Sequence, residues 1–171
     1  MESIKVLIDE ETLQSKVAEL AEQIMKDYAG KEVTLICILK GSMFFTVDLA
    51  RRLKNVVNID CIMASSYGEN TISSGEVEIK LDLKNSIEGQ DVIVVEDIID
   101  TGNTLAYLLE HLQKKNPKTL KLCALLSKPE RREVEIDVNY IGFEIPNKFV
   151  VGYGLDFNEE YRNLPYIGYL E

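Results

Sequence analysis

Short, unbroken runs of apolar residues recur along this chain, with longer amphipathic stretches between them. The runs VTLICIL (33–39), DVIVVE (91–96) and TLKLCALLS (119–127) are rich in branched side chains. Runs of this length predict strands that are buried on both faces. Residues 12–29 repeat their apolar side chains at helical spacing, and a second helical stretch follows over roughly 42–53. Strands that alternate with helices favour an α/β fold whose parallel sheet is covered on both faces.

Further segments extend this pattern. Residues 57–65 predict another strand, and the polar–apolar alternation of EVEIKL (76–81) predicts a strand with one solvated face. Short strand-like segments around 138–143, 149–152 and 166–170 are expected to form a less regular cap. No internal repeat, low-complexity tract or proline-rich linker interrupts the chain, so we expect one domain over its 171 residues.

The charge balance restricts the partners of this chain. Its 19 basic and 29 acidic residues give a net charge of −10, which argues against a general affinity for nucleic acid. No apolar run approaches the roughly 18 residues of a membrane span. The N-terminus lacks the basic start and apolar stretch of a secretory signal, so we expect none.

The cysteines and the single histidine suggest no chemistry of their own. Cys37, Cys61 and Cys123 lie in apolar segments and form no close-spaced pair. This pattern favours buried thiols in a reducing cytoplasm over a disulfide framework. We expect His111, which lies beside Glu110 in the predicted helix after residue 103, to be a surface residue.

Residues 92–105, VIVVEDIIDTGNTL, carry the strongest chemical signal. Two carboxylates, Glu96 and Asp97, end an apolar strand, and DTGNT (100–104) stands where the next helix starts. Backbone N–H groups at a helix start lack helical partners, so with the helix dipole and the threonine hydroxyls they form a cradle for a phosphate. Gly102 lets the backbone come close to a ligand. Open α/β sheets bind ligands at this carboxyl edge.

Carboxylates beside a phosphate cradle suit a sugar phosphate, because they accept hydrogen bonds from vicinal hydroxyls. The chain has no P-loop pattern, and GYG at 152–154 does not extend to a dinucleotide fingerprint. The plainer alternative is that Asp100 or Thr101 only caps the helix and that the acids form a solvated rim.

This segment and four others in order resemble the type I phosphoribosyltransferase family, and within it the hypoxanthine-guanine phosphoribosyltransferases of bacteria. The four are ILKGS (38–42), SSYG (65–68), LSKPERR (126–132) and FEIPNKFVVGYGLDFNEEYRNLPYIGYL (143–170). The resemblance implies an α/β fold with a central, mostly parallel twisted sheet flanked by helices, a small irregular hood and a flexible lid loop. It implies one domain, 1–171, with a core over about 30–135, a hood from the N-terminal residues and about 136–171, and a lid over about 66–76.

The reaction implied by the resemblance is purine salvage. A ring nitrogen of hypoxanthine or guanine displaces pyrophosphate from phosphoribosyl pyrophosphate, with Mg²⁺ as cofactor, and the product is IMP or GMP. The resemblance also implies a homodimer or homotetramer. Two alternatives stay open: a preference for xanthine, and a regulator of this fold that binds nucleic acid. The net charge and the lack of a basic run disfavour the regulator.

The resemblance assigns the sugar-phosphate ligands residue by residue. The 5-phosphate would be bound by Thr101, Gly102, Asn103 and Thr104. Glu96 and Asp97 would hold the ribose hydroxyls and a Mg²⁺ ion, whose preference for oxygen ligands and substrate phosphates agrees with such a site. Asp156 matches a carboxylate near a second Mg²⁺, although an aspartate in a glycine-rich turn is more often a turn former.

Asp100 matches the residue that accepts the proton of the purine. It lies three residues beyond a carboxylate pair, and crowding of like charges could raise its affinity for a proton. Capping of the next helix is its competing role.

The pyrophosphate would be bound by Lys40, Gly41 and Arg162, and the peptide before Lys40 is often cis in this family. Without the resemblance, Lys-Gly after a strand would be an ordinary turn, and Arg162 a solvated side chain. Ser66 and Tyr67 match the residues that begin the lid, whose closure would exclude water.

The purine-binding residues implied by the resemblance are Ile98, Lys128, Phe149, Val150 and Asp156. Phe149 and Ile98 would contact opposite faces of the base. Lys128 matches the residue that reaches the oxygen on carbon 6, and because an ammonium only donates hydrogen bonds, it would favour 6-oxopurines over adenine. From composition alone, Lys128 would be an exposed residue of the KPERR turn.

Overall fold

The computed structural model describes residues 3–66 and 76–171. Over these residues the chain forms β1 (Ile4–Ile8), α1 (Glu10–Asp27), β2 (Val33–Ile38), α2 (Met43–Arg52), β3 (Val57–Ser66), β4 (Val77–Leu81), β5 (Asp91–Ile99), α3 (Asn103–Gln113), β6 (Thr119–Ser127), the 3₁₀ turn Pro129–Arg131, β7 (Tyr140–Glu144), β8 (Val150–Val151) and β9 (Ile167–Leu170).

The larger sheet has the strand order β4-β3-β2-β5-β6-β7. Its strands pair in parallel, except that β4 runs antiparallel to β3 at one edge. The predicted parallel α/β sheet is therefore confirmed. Because β2, β5 and β6 run in the same direction, the segments that follow them meet at one edge of the sheet.

Both faces of this sheet are covered, as the unbroken apolar runs predict. The first face packs against α1 and α2, through the fully buried Leu20, Ile24, Phe45 and Leu49. The opposite face packs against α3, through Leu105, Leu108 and Leu112. Cys37 and Cys123 are buried as expected, whereas Cys61 is only partly buried. None of the helices in 3–66 and 76–171 has the length and apolarity needed to cross a membrane.

A smaller antiparallel sheet, β1-β9-β8, forms the hood together with the loops around it. The strand β1 was not among the strands predicted from the sequence. It exists because the N-terminal segment pairs with the other end of the chain, for example Ile4 with Leu170. A pairing partner so distant in sequence leaves no local pattern.

Several boundaries differ from those predicted. Helix α1 begins and ends two residues earlier, since the carboxylate of Asp9 accepts a hydrogen bond from the backbone N–H of Thr12 at 2.8 Å and caps the helix. Strand β5 continues past its apolar run to Ile99, because its pairing with β6 continues to Ser127. His111 is half-buried rather than a free surface residue, and its Nε2 lies 2.9 Å from Asp82 Oδ2.

Candidate active site

Helix α3 starts within the segment where the phosphate cradle is predicted, at Asn103. Gly102 is the N-cap and has a φ of +89°, a conformation that side chains with a β-carbon rarely adopt. A β-carbon there would also lie 2.8 Å from Ile136 Cδ1. The glycine is therefore required by backbone geometry and by packing. Gly102, rather than Asp100 or Thr101, is the N-cap residue, and the Thr101 hydroxyl accepts a hydrogen bond from the Asn103 backbone N–H at 3.4 Å.

Glu96 and Asp97 lie together near the carboxyl end of β5. The Glu96 carboxylate accepts the Asp97 backbone N–H at 2.9 Å, and the Asp97 carboxylate accepts the Ile98 N–H at 2.7 Å. Burial raises the pKa of Glu96 well above its ordinary value, and the negative charge of Asp97 is the second largest cause of this shift. A cation or hydroxyl donors placed against this pair would offset the cost of ionising both groups.

The donor set of this pair fits Mg²⁺, which binds through one or two carboxylates and completes its coordination with substrate phosphates and water. Within 3–66 and 76–171, no group of three or more potential ligands forms a protein-only metal site. Asp156 accordingly does not join Glu96 and Asp97. Its Oδ2 accepts the Glu159 N–H at 2.9 Å, and its Oδ1 lies 3.3 Å from a guanidinium nitrogen of Arg162.

The loop after β2 brings Lys40 and Gly41 to the same edge of the sheet. The Leu39–Lys40 peptide is cis, as the resemblance implied. The backbone of Gly41 lies directly against the Asp97 side chain on one side and against Gly154 of the hood on the other. A β-carbon on Gly154 would lie 2.1 Å from the Gly41 carbonyl oxygen. Loop, acid pair and hood thus form one packed unit.

Arg162 lies in the hood near this loop. Its guanidinium donates to the Gly154 carbonyl at 2.6 Å and to Glu159 Oε1 at 3.1 Å. Its Nε is buried and has no hydrogen-bond partner among the residues that the structure describes. The arginine that sequence alone would place in solvent is held beside Lys40, because both contact Glu159.

Glu159 is a site residue that the sequence did not reveal. Its carboxylate accepts hydrogen bonds from Lys40 Nζ at 3.0 Å and from Arg162. These two cations lower the pKa of Glu159 below its ordinary value. Lys40 and Arg162 are among the residues predicted to bind pyrophosphate. The Glu159 carboxylate therefore lies where that anion is expected to bind. No spacing rule links residues 40 and 159, so only the fold could show this contact.

The predicted purine side is built from β6 and the hood. Lys128 follows β6 and is buried, with 8% of its surface exposed, so the alternative of an exposed turn residue is wrong. Val150 is buried as well, whereas Phe149 is 54% exposed and contacts Phe157 edge to face, at 5.6 Å between ring centroids. Ile98 is partly buried against the core. An exposed aromatic ring such as that of Phe149 is suited to stacking on a planar base.

Residues 128–133 are hydrogen-bonded to the end of β5 and to the loop between β5 and α3. Their backbone donates from Lys128 N to the Ile99 carbonyl and from Glu133 N to the Thr101 carbonyl, both at 2.9 Å. Arg131 and Arg132 both contact Asp100, the proposed base. The LSKPERR motif signalled this segment, but it did not indicate where its arginines point.

The predicted lid falls mostly outside the described residues, Tyr67 included. Ser66 ends β3 and Val77 begins β4. Both line a cavity of about 620 Å³ that also includes Thr101 and Thr104 of the cradle. The ends of the predicted lid segment therefore lie beside the phosphate cradle.

The mixed sheet, the acid pair at its carboxyl edge and the cradle at the start of α3 define the fold of a type I phosphoribosyltransferase. The family model of the phosphoribosyl transferase domain matches residues 6–158. The chain belongs to the phosphoribosyltransferase family.

Its relatives narrow this class. The chain superimposes with a TM-score of 0.94 on a hypoxanthine-guanine phosphoribosyltransferase from Bacillus anthracis, with 52% identity over 99% of this chain and 100% of the other. It is 46% identical to a hypoxanthine-guanine phosphoribosyltransferase of Streptococcus thermophilus, over 98% of this chain and 93% of the relative. It is also 50% identical to the bifunctional protein TilS/HprT of Listeria monocytogenes, over 98% of this chain but only 26% of that longer protein. The chain thus spans about a quarter of the Listeria relative.

Proposed function

We propose that the chain is a Mg²⁺-dependent purine salvage transferase. It converts hypoxanthine and guanine, with phosphoribosyl pyrophosphate, to IMP and GMP, and it releases pyrophosphate. The observation that carries this proposal is that the acid pair lies near the carboxyl end of β5, while residues 101–104 and the buried Lys128 follow the neighbouring parallel strands β5 and β6 at the same edge of the sheet.

The cradle and the acid pair would hold the sugar phosphate at two points. The N–H groups and hydroxyls of residues 101–104 bind the 5-phosphate, and Glu96 and Asp97 accept hydrogen bonds from the ribose hydroxyls. Mg²⁺, held by the same pair, would neutralise charge on the pyrophosphate. Two-point binding fixes the anomeric carbon relative to the sheet edge.

The leaving group would be bound by Lys40, Gly41 and Arg162. The bond from the anomeric carbon to the pyrophosphate oxygen breaks, so that oxygen gains negative charge and the ribose becomes oxocarbenium-like. Cations and backbone N–H groups beside the departing oxygen stabilise this charge. The purine nitrogen forms the new bond to the same carbon.

The purine loses a ring proton in this reaction, and Asp100 would accept it. Phe149, Val150 and Ile98 contact the base, while Lys128 donates to the oxygen on carbon 6. Asp156, which forms an ion pair with Arg162, would contribute to the purine side and lie near a second Mg²⁺. Adenine carries an amino donor on carbon 6, so it would leave the buried ammonium of Lys128 without an acceptor.

A steady-state assay tests this proposal. Nucleotide formation from hypoxanthine, guanine, xanthine and adenine is measured with phosphoribosyl pyrophosphate, with and without Mg²⁺. We expect turnover with the first two bases, no comparable turnover with adenine, and loss of activity when EDTA removes the metal. A higher kcat/KM with xanthine than with hypoxanthine or guanine would show that the enzyme prefers xanthine. Absence of transfer to any of the bases would refute the proposal.

The assembly and location proposed here are a homodimer or homotetramer in the cytoplasm. Exposed apolar side chains of α2, Met43, Phe44 and Val47, support self-association. The three cysteines are unpaired thiols, which suits a reducing compartment. Light scattering coupled to gel filtration would give the mass of the particle. Filter binding at several salt concentrations would detect nucleic-acid affinity, which the net charge of −10 disfavours.

A further inference from the structure

Two arginines outside the proposed mechanism hold one of its residues. Arg131 Nε donates to the side-chain oxygen Oδ1 of Asp100 at 3.0 Å. Arg132 Nε donates to the backbone carbonyl of the same Asp100 at 3.3 Å. The carboxylate and the peptide of the proposed base are therefore restrained separately, by neighbouring side chains.

Hydrogen bonds to neighbouring residues restrain the Arg132 side chain and the Arg131 backbone. Arg132 also donates to the hydroxyl of Ser127 at 2.7 Å, and Ser127 is 3% exposed. Arg131 ends a 3₁₀ turn that begins with Pro129, and its N–H is bonded to the Lys128 carbonyl at 3.1 Å. A turn that is closed by a backbone hydrogen bond and begins with a proline has little conformational freedom.

The contact leaves half of the carboxylate available. Oδ1 of Asp100 is bound to Arg131, and within the described part of the chain Oδ2 accepts no hydrogen bond. The carboxylate torsion of an aspartate is broad, so an unrestrained group samples many orientations. One anchored oxygen restricts that rotation and holds the other oxygen in a defined direction.

We infer that Arg131 is a positioning residue for the transfer reaction: it anchors the Asp100 carboxylate so that the free oxygen is oriented toward the purine. This inference rests on the proposed function, in which Asp100 is the base. Lys128 and Arg131 stand at the two ends of one short turn. The turn would therefore link recognition of carbon 6 to placement of the base that removes the proton.

The test compares Arg131→Gln, Arg131→Lys, Asp100→Asn and the double variant Arg131→Gln/Asp100→Asn with the unmodified protein. We expect Arg131→Gln to lower kcat about 10-fold, because a slightly misplaced base transfers protons poorly. The KM for phosphoribosyl pyrophosphate should change by less than about 2-fold. Arg131→Lys should recover part of the loss, since an ammonium reaches the carboxylate but lacks the fixed planar geometry of guanidinium.

The double variant tests the positioning role of Arg131 separately from the assignment of Asp100 as the base. In the Asp100→Asn background, Arg131→Gln should cause no further loss of kcat, because the group it positions is already absent. Full kcat in Arg131→Gln, beside a large loss in Asp100→Asn, would overturn the positioning role and leave the proposed function intact. Full kcat in Asp100→Asn would remove the base assignment and the inference together.

A structural effect is distinguished by stability and by a matched control. The two side chains are 47% and 46% exposed, so Arg131→Gln should leave the melting temperature within about 2 °C. Arg51→Gln, at an exposed arginine of α2 with no ion pair among the described residues, should leave kcat unchanged. Equal losses in Arg131→Lys and Arg131→Gln, with a clearly lower melting temperature in both, would show a merely structural role and refute the inference.

Discussion

A β-carbon on Gly41 would lie 1.7 Å from the Oδ2 atom of Asp97. The loop after β2 and the carboxylate near the end of β5 are thus in direct contact, and no side chain fits between them. The loop that carries Lys40 and Gly41 and the Asp97 carboxylate are consequently positioned by the same contact.

Gly41→Ala should displace the Asp97 carboxylate and lower kcat/KM by at least about 100-fold, because small misplacements at a reacting centre are costly. Titration with phosphoribosyl pyrophosphate and Mg²⁺ should show a matching loss of affinity. Gly89→Ala is the control: Gly89 has a φ of +70° but no atom near the added carbon. It should lower stability by about 1 kcal/mol and leave kcat/KM unchanged. Normal activity in Gly41→Ala would contradict the contact.

Glu159→Gln should tighten binding of pyrophosphate by about 2- to 5-fold. The substitution keeps a hydrogen-bond acceptor but removes the negative charge that Lys40 and Arg162 now share. Inhibition by pyrophosphate at low and high salt measures the effect, which should shrink as salt rises. The neighbouring exposed residue provides the control, Glu160→Gln, with no expected change. Weaker binding in Glu159→Gln would mean that this carboxylate supports the ligand rather than competing with it.

Lys128→Gln should narrow the preference for hypoxanthine over adenine by about 10- to 100-fold in the ratio of kcat/KM values. A neutral amide both donates and accepts hydrogen bonds, so it tolerates either group on carbon 6. Lys54→Gln, at an exposed position far from the purine residues in sequence, should leave the ratio unaltered. An unchanged ratio in Lys128→Gln would remove this lysine from base selection.

Tyr153→Phe should reduce the free energy of unfolding by about 1–2 kcal/mol. The buried Tyr153 hydroxyl donates to Asp48 Oδ2, and burial, followed by this bond, raises the pKa of the tyrosine. Its loss leaves the Asp48 oxygen with Gln14 alone. Urea unfolding measures the change, and Tyr107→Phe, at an exposed tyrosine of α3, should have almost none. Equal stabilities would show that the bond contributes nothing beyond exchange with water.

The sequence was sufficient for those features that depend on local pattern. The apolar runs predicted β2, β5 and β6 within a few residues, and the DTGNT segment predicted where α3 starts. Contacts between segments that are distant in the sequence could not be predicted from such patterns. Three examples join segments that are distant in the sequence: the pairing of β1 with β9, the contact of Glu159 with Lys40, and the hydrogen bond from Arg131 to Asp100. Periodicity and motif spacing describe neighbouring residues, so they cannot predict contacts between distant segments.

The packing of Gly154 against the Gly41 carbonyl has a consequence for how the chain acquires its activity. The two glycines are far apart in the sequence, and the hood is completed only when β1 pairs with β9. Local helices and neighbouring parallel strands can form earlier, since they need shorter loop closures. During refolding, the return of circular dichroism should therefore precede the return of turnover, and enzyme activity would report the last step of assembly.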